Sequence, residues 1–187
     1  MPFSKRAPDA KKLDRDEALA KLALRYFTSH GPAQTKDFAW WSGLSIKEVD
    51  KGLDAVKSQF TKEIIDGKTY YVSKSLRKTY DPKPSTFLLS IYDEYIIAYK
   101  DRSSVSDARD IERMVSMGNA LTAVIIIGGK VAGNWKREIK KSSVVVTLRT
   151  FRKLASAEKK ALGTAATRYG DFINLPALLK QADGKFD

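Results

Sequence analysis

The chain contains no cysteine and a single histidine, His30. The first absence excludes disulfides, thiolate nucleophiles and thiolate metal centres. One imidazole without a thiolate makes a poor zinc site, so no metal and no cofactor is expected. Long hydrophobic runs are also missing. The longest, Ala123 to Ile127 with its neighbours, is far too short to cross a bilayer, and no signal-peptide pattern is present. No membrane partner is expected, and the composition fits a reducing cytoplasm. Proline is scarce, and Pro82 and Pro84 fall almost together, in a polar basic stretch from Ser73 to Ser85. No internal repeat of solenoid type is found.

Positive charge is abundant. The 187 residues carry 34 Lys and Arg against 22 Asp and Glu, a net charge of +12. Such an excess favours a polyanionic partner, and nucleic acid is the expected one. Hydrophobic residues make up 43% of the chain, enough to bury one large core or two small ones.

The stretch from Thr35 to Val72 organises the first half. Ser45 and Glu48 form a capping box, so a helix should begin at Ile46. Ile46, Val49, Leu53 and Val56 then recur on one face, with Lys47, Asp50, Lys51, Asp54 and Lys57 on the other. Ile64-Ile65 and Tyr70-Tyr71-Val72 flank Asp66-Gly67, a dipeptide favoured in a type I′ hairpin turn. Upstream, Asp14 and Glu17 start a helix with Leu19, Leu22, Ala23, Tyr26 and Phe27 on its apolar stripe, and Gly31-Pro32 stops it. Thr35 is expected to cap the next helix. Of Trp40 and Trp41, one should fill the core and the other lie at its margin, since adjacent helix positions point about 100° apart. Helices followed by a two-stranded hairpin give the order of a winged helix-turn-helix.

We therefore expect an α+β protein in three parts: a basic arm or linker over 1–13, a winged-helix domain over 14–80, and a second domain over 81–187. The second domain opens on a dense apolar run from Phe87, interrupted by Asp93-Glu94. Strands are expected at Ala120 to Ile127, Lys130 to Lys136 and Val144 to Leu148, joined first through Gly128-Gly129. A helix capped by Ser156 should run from Ala157 to about Ile173, with Phe172 and Ile173 on its apolar face, and the tail from Asn174 should be peripheral. The result is a β-barrel-like or antiparallel sheet domain with a terminal helix.

Three strings carry a resemblance: HGPAQTKDFAWWSGL (His30 to Leu44), IYDEYIIAYKDRS (Ile91 to Ser103) and GGKVAGNWKR (Gly128 to Arg137). In this order and spacing the chain resembles the AlkZ/YcaQ-type DNA glycosylases, a bacterial winged-helix DNA-binding family. The resemblance implies a row of winged helices followed by a β-barrel-like domain. It also implies removal of alkylated bases or unhooking of interstrand crosslinks, without a metal. Family members are about twice as long, and the match is to their C-terminal half. Their Gln–bulky–Gln/Asp signature lies upstream of that half. Among Gln34, Gln59 and Gln181, the string Gln181-Ala182-Asp183 matches the letters, but alanine is not bulky, so no catalytic residue is carried over.

Double-stranded DNA, plain or damaged, is the partner this reading implies, with the chain expected as a monomer. The candidate phosphate contacts are Lys47, Lys51 and Lys57 on the helix, Lys68 on the wing, and Lys136, Arg137, Lys140 and Lys141 beside Trp135. Trp135 itself has two compatible readings, an aromatic neighbour of a phosphate-contacting patch and a residue packed in the sheet beside a solvated hairpin tip. Two alternatives stand beside the leading one. A small DNA-processing enzyme would use Asp93 and Glu94, which otherwise cap a helix or pair with a basic residue. A transcription regulator or protein-interaction module would use the same winged helix.

Overall fold

The computed structural model describes residues 3–76, 85–116, 120–121 and 123–182. The chain divides into two compact units, Met1–Thr79 with Ala98–Lys100, and Tyr80–Ile97 with Asp101–Asp187.

The first unit opens with a single helical turn, α1 (Phe3–Arg6), within the stretch expected as an arm or linker. Helix α2 (Arg15–His30) follows, its first turn closed by Asp14, whose Oδ1 accepts the Glu17 amide at 2.8 Å. Leu19, Ala23, Tyr26 and Phe27 form its buried stripe. Helix α3 (Thr35–Ser42) begins at Thr35 itself, the residue expected as its cap. Gln34 holds the cap position instead, because Asp37 Oδ2 accepts the Gln34 amide at 3.0 Å. Gly43, at φ 71°, closes the helix in the left-handed region that glycine tolerates. Helix α4 (Ile46–Asp54) carries the expected capping box: Ser45 Oγ accepts the Glu48 amide, and Glu48 Oε2 accepts the Ser45 amide.

A 3₁₀ turn (Lys57–Gln59) leads into an antiparallel hairpin of β1 (Phe60–Ile65) and β2 (Lys68–Ser73). Asp66 and Gly67 both take positive φ, 49° and 71°, as a type I′ turn requires. The link between α2 and α3 joins this hairpin, since Ala33 and Tyr71 exchange both backbone hydrogen bonds. Tyr26, Phe27, Phe38, Val49, Leu53 and Phe60 make the core. Neither tryptophan fills it. Phe38 takes the inward position of the short helix. Trp41, one turn later, lies over Tyr26 at 5.2 Å, and Trp40 is 56% exposed.

A downstream segment completes this unit. Tyr26 Oη donates to the Ala98 carbonyl (2.8 Å), Tyr99 Oη donates to the His30 carbonyl (2.7 Å), and the Lys100 amide donates to Asp37 Oδ1 (3.1 Å). Asp37 is buried, and its two oxygens spend themselves on backbone amides from positions 34 and 100.

The second unit contains β3 (Thr86–Leu88), α5 (Glu94–Ile97), α6 (Ala108–Met114), β4 (Val115–Ser116), β5 (Ala120–Leu121), β6 (Val124–Ile127), β7 (Lys130–Ile139), β8 (Val144–Thr150), α7 (Ser156–Phe172) and β9 (Ala177–Gln181). The sheet runs β3-β6-β7-β8-β9 and curls into a half-barrel; β4 and β5 pair separately. Three expectations fail here. The tail after Asn174 is not peripheral, because Ala177–Gln181 adds an edge strand, and that strand pairs parallel to β8, so the sheet is not wholly antiparallel. The expected strand from Ala120 to Ile127 is split between β5 and β6, which belong to different sheets.

Alternation sorts the sheet into two cores. Ile125, Ile127, Trp135, Val144, Val146 and Leu148 meet Leu162 and Ala166 of α7. Val124, Ile126 and Val131 meet Ile96 and Met114 on the other side. At the start of α7 the Ala155 amide donates to Glu158 Oε2 at 2.9 Å, so Ala155 occupies the cap position expected for Ser156. At its end Phe172 points outward, 82% exposed, while Ile173 packs inward. Gly163, mid-helix, has open space where a Cβ would stand. Gly163→Ala is therefore expected to stabilise the unit by about 0.5–1 kcal/mol, read as a higher urea midpoint.

Two capping carboxylates tie stability to acid. The Ser45 hydroxyl and amide, with the Arg15 guanidinium, hold Glu48 at about 2; Arg152 and the Ala155 amide hold Glu158 at about 2. Both lie below the ordinary value of 4.5, so their contribution is full above pH 4.5 and is lost as pH falls toward 2. Melting temperature followed from pH 6 to pH 2.5 should fall less steeply in the Glu48→Gln/Glu158→Gln double variant than in the parent chain. An equal slope would refute the assignment.

Candidate nucleic-acid interface

In the first unit, α4 carries Lys47 and Lys51 and the β1–β2 hairpin carries Lys68, whereas Lys57, expected on the helix, lies in the 3₁₀ turn after it. Lys47 is exposed and forms no ion pair among the described residues. Lys51 Nζ lies 2.6 Å from Asp16 Oδ1, and Lys57 Nζ lies 3.4 Å from Asp54 Oδ1. Both bridges are well exposed. Exposed pairs contribute about 0.2–1 kcal/mol, so either lysine can exchange its carboxylate for a phosphate at little cost. Lys68 is half-buried at the start of β2. The Glu48 capping carboxylate also pairs with Arg15, which fixes the start of α4 against α2. Gly52 allows the same approach: a Cβ there would stand 2.7 Å from the Leu19 carbonyl oxygen.

Sequence reasoning passed over two features of this surface. Lys62 lies over the Tyr71 ring at 5.6 Å, on the strand neighbouring Lys68. Ile64 and Ile65 stand exposed next to the turn, where they were expected only as strand formers. The breakdown of alternation at that hairpin end was the available signal.

In the second unit, β7 outruns β6. Lys130 to Asn134 pair with β6, whereas Gly133 to Ile139 pair with β8, so the far end of β7 has only β8 beside it and makes with the start of β8 a ribbon that β9 flanks on the other side. Lys136, Arg137, Lys140 and Lys141 are all exposed on it. The ribbon does not present them as one cluster, because strand neighbours face opposite ways. Arg137 shares a face with Trp135, and its guanidinium lies 5.6 Å from the Tyr169 ring. Lys136 and Glu138 share the other face, where Glu138 pairs with Lys140 at 3.4 Å. The turn is closed by the Lys140 amide donating to the Ser143 carbonyl, and Lys141 at its tip forms no ion pair among the described residues.

Trp135 is packed in the sheet, the second of its two readings. It is 6% exposed, it meets Tyr169 edge-on at 5.3 Å, and its indole N–H donates to the Leu89 carbonyl at 2.7 Å. A ring so placed has no face left for a base. Asp93 also takes the structural alternative: its Oδ1 accepts the Tyr95 amide at 3.0 Å, and its carbonyl accepts the Ile96 and Ile97 amides. Among the described residues no group of three or more His, Asp or Glu could hold a metal ion. No described helix is long and apolar enough to cross a membrane.

This α+β chain carries exposed basic residues in both units. The family model for AlkZ-like DNA glycosylases matches residues 2–172, and the chain belongs to that family. Among solved structures, it is similar to the DNA glycosylase AlkZ of Streptomyces sahachiroi, at 20% identity and a TM-score of 0.73, over 91% of this chain. The chain spans 47% of that protein's length. A search of curated proteins gives no match.

Proposed function

We propose that this chain binds double-stranded DNA, as the DNA-contacting part or a shortened relative of a repair glycosylase acting on alkylated bases or interstrand crosslinks. Membership of the AlkZ-like family carries the reading, and the exposed basic residues at the β7–β8 turn support it. The first unit acts as a winged helix, with α4 toward the groove and the β1–β2 hairpin as wing. In support, helices α2, α3 and α4 precede a hairpin whose second strand also bridges to Ala33. The cations of α4 and the ribbon are lysines, with Arg137 the exception, which suits phosphate contacts and shape recognition over base reading. No residue of this chain is assigned to catalysis.

The test is fluorescence anisotropy of labelled duplexes, plain and carrying an abasic or alkylated site, over several salt concentrations. Each neutralised phosphate adds about −0.9 to the slope of log affinity against log salt. A steep slope with tighter binding to the lesion is the expected result. A steep slope without preference removes the repair role, and no binding at low salt removes the DNA reading altogether.

A further inference from the structure

The second unit contains a cavity of about 470 Å³ between α7, β8, β9 and the loop that joins β8 to α7. Its floor is apolar: Leu148, Leu154 and Leu162 are buried, and Leu179 is partly exposed at the edge. Three cations border it, Lys153 from the loop, Lys159 from the first turns of α7 and Lys180 from β9. None of the three forms an ion pair among the described residues, and no acidic side chain lines the cavity. Glu158, next to Lys159 in sequence, has both oxygens held by Arg152, at 2.7 and 2.9 Å. One wall is polar. There Gln181 Nε2 donates to Thr150 Oγ1 at 3.3 Å, which leaves the amide oxygen of Gln181 available as an acceptor.

The geometry points to a site for a single unstacked nucleotide. The volume falls within the range of small-molecule pockets, with the usual apolar lining and few polar groups. Its three parts match three parts of that ligand. The lysine ammoniums suit a phosphate, the leucine floor suits the face of a base, and the Gln181 amide suits a base edge, which needs both a donor and an acceptor. An uncharged apolar ligand would leave the lysines without a partner. An inorganic anion would leave the leucines exposed. The choice of a nucleotide rests on the nucleic-acid reading above, but the site and its test do not require duplex binding.

Equilibrium dialysis of the full chain with 2′-deoxyadenosine 5′-monophosphate tests this, with deoxyadenosine, inorganic phosphate and octanoate as competitors. Saturable one-to-one binding is expected, about tenfold weaker for deoxyadenosine and for phosphate alone, since each lacks one half of the contacts. Lys153→Glu/Lys159→Glu should weaken the nucleotide at least tenfold, with the fold checked by circular dichroism. Leu179→Ala, at the exposed edge of β9, should weaken the nucleotide about threefold and leave phosphate unchanged. Absence of nucleotide binding overturns the site. So does phosphate competing as well as the nucleotide, octanoate competing better, or full binding by the folded lysine variant. Duplex binding measured separately by anisotropy distinguishes failure of this site from failure of the DNA reading.

Discussion

Gly133→Ala is expected to destabilise the second unit by about 3 kcal/mol, at the upper end of the overpacking range. A Cβ at this position would stand 2.2 Å from the Arg149 carbonyl oxygen, 2.9 Å from Thr150 Cα and 3.0 Å from the Arg149 carbonyl carbon. All three are backbone atoms, so no rotamer change relieves the clash. Relief requires β8 to move away from β7 where Gly133 pairs with Thr150, next to the register shift between Ile125 and Ile126. Replacing a strand glycine by alanine ordinarily recovers about 0.5–1 kcal/mol of backbone entropy, too little to offset the clash. Urea denaturation followed by tryptophan fluorescence reads the effect directly, because Trp135 sits two residues away in the same strand. The midpoint should fall with the slope unchanged. The same substitution at Gly163 should raise the midpoint, since the methyl there meets open space. A Gly133→Ala variant as stable as its parent would mean that the two strands do not approach so closely.

The features that were legible in the sequence are those set by local rules. Ser45 with Glu48, Asp14 with Glu17, and Asp66-Gly67 each act within a few residues, and each takes the geometry its chemistry requires. The errors came from non-local partners. Thr35 is a better cap than Gln34 by residue type, but Asp37 reaches back to the Gln34 amide while its other oxygen holds Lys100. Nothing near position 37 announces a partner so far downstream. β9 was missed for a related reason: it is a short edge strand whose Leu178 and Leu179 are both partly exposed, so no alternation marks it, and its partner β8 lies across the whole of α7. Trp135 illustrates a third limit. Period-two spacing places it on the face of Arg137 and opposite Lys136, but spacing alone does not say which face a helix covers. Tyr169 and the Leu89 carbonyl decide that, and both are remote in sequence.

The double variant Lys140→Glu/Lys141→Glu is expected to weaken duplex binding about a hundredfold near physiological salt, counting about tenfold for each phosphate that goes unneutralised. Its salt slope should flatten by about 1.8, at about 0.9 for each such phosphate. These positions carry the prediction because little else holds them. Lys141 lies at the ribbon tip without an ion pair among the described residues, and Lys140 has an exposed bridge to Glu138 at 3.4 Å. Arg137 is a poorer choice, since its guanidinium lies over Tyr169 and its loss would disturb packing as well as charge. Lys51 differs again. It is a single contact with an exposed bridge to Asp16, so Lys51→Glu should cost the complex less than the double ribbon variant does. Neither ribbon lysine touches the cores, and the unfolding midpoint should therefore stay within about 0.5 kcal/mol of the parent in stability. That pairing of readouts makes the result decisive. Lower affinity with an unchanged slope would indicate a damaged fold, whereas unchanged affinity and slope together would remove the ribbon from the interface and leave α4 and its hairpin to carry it.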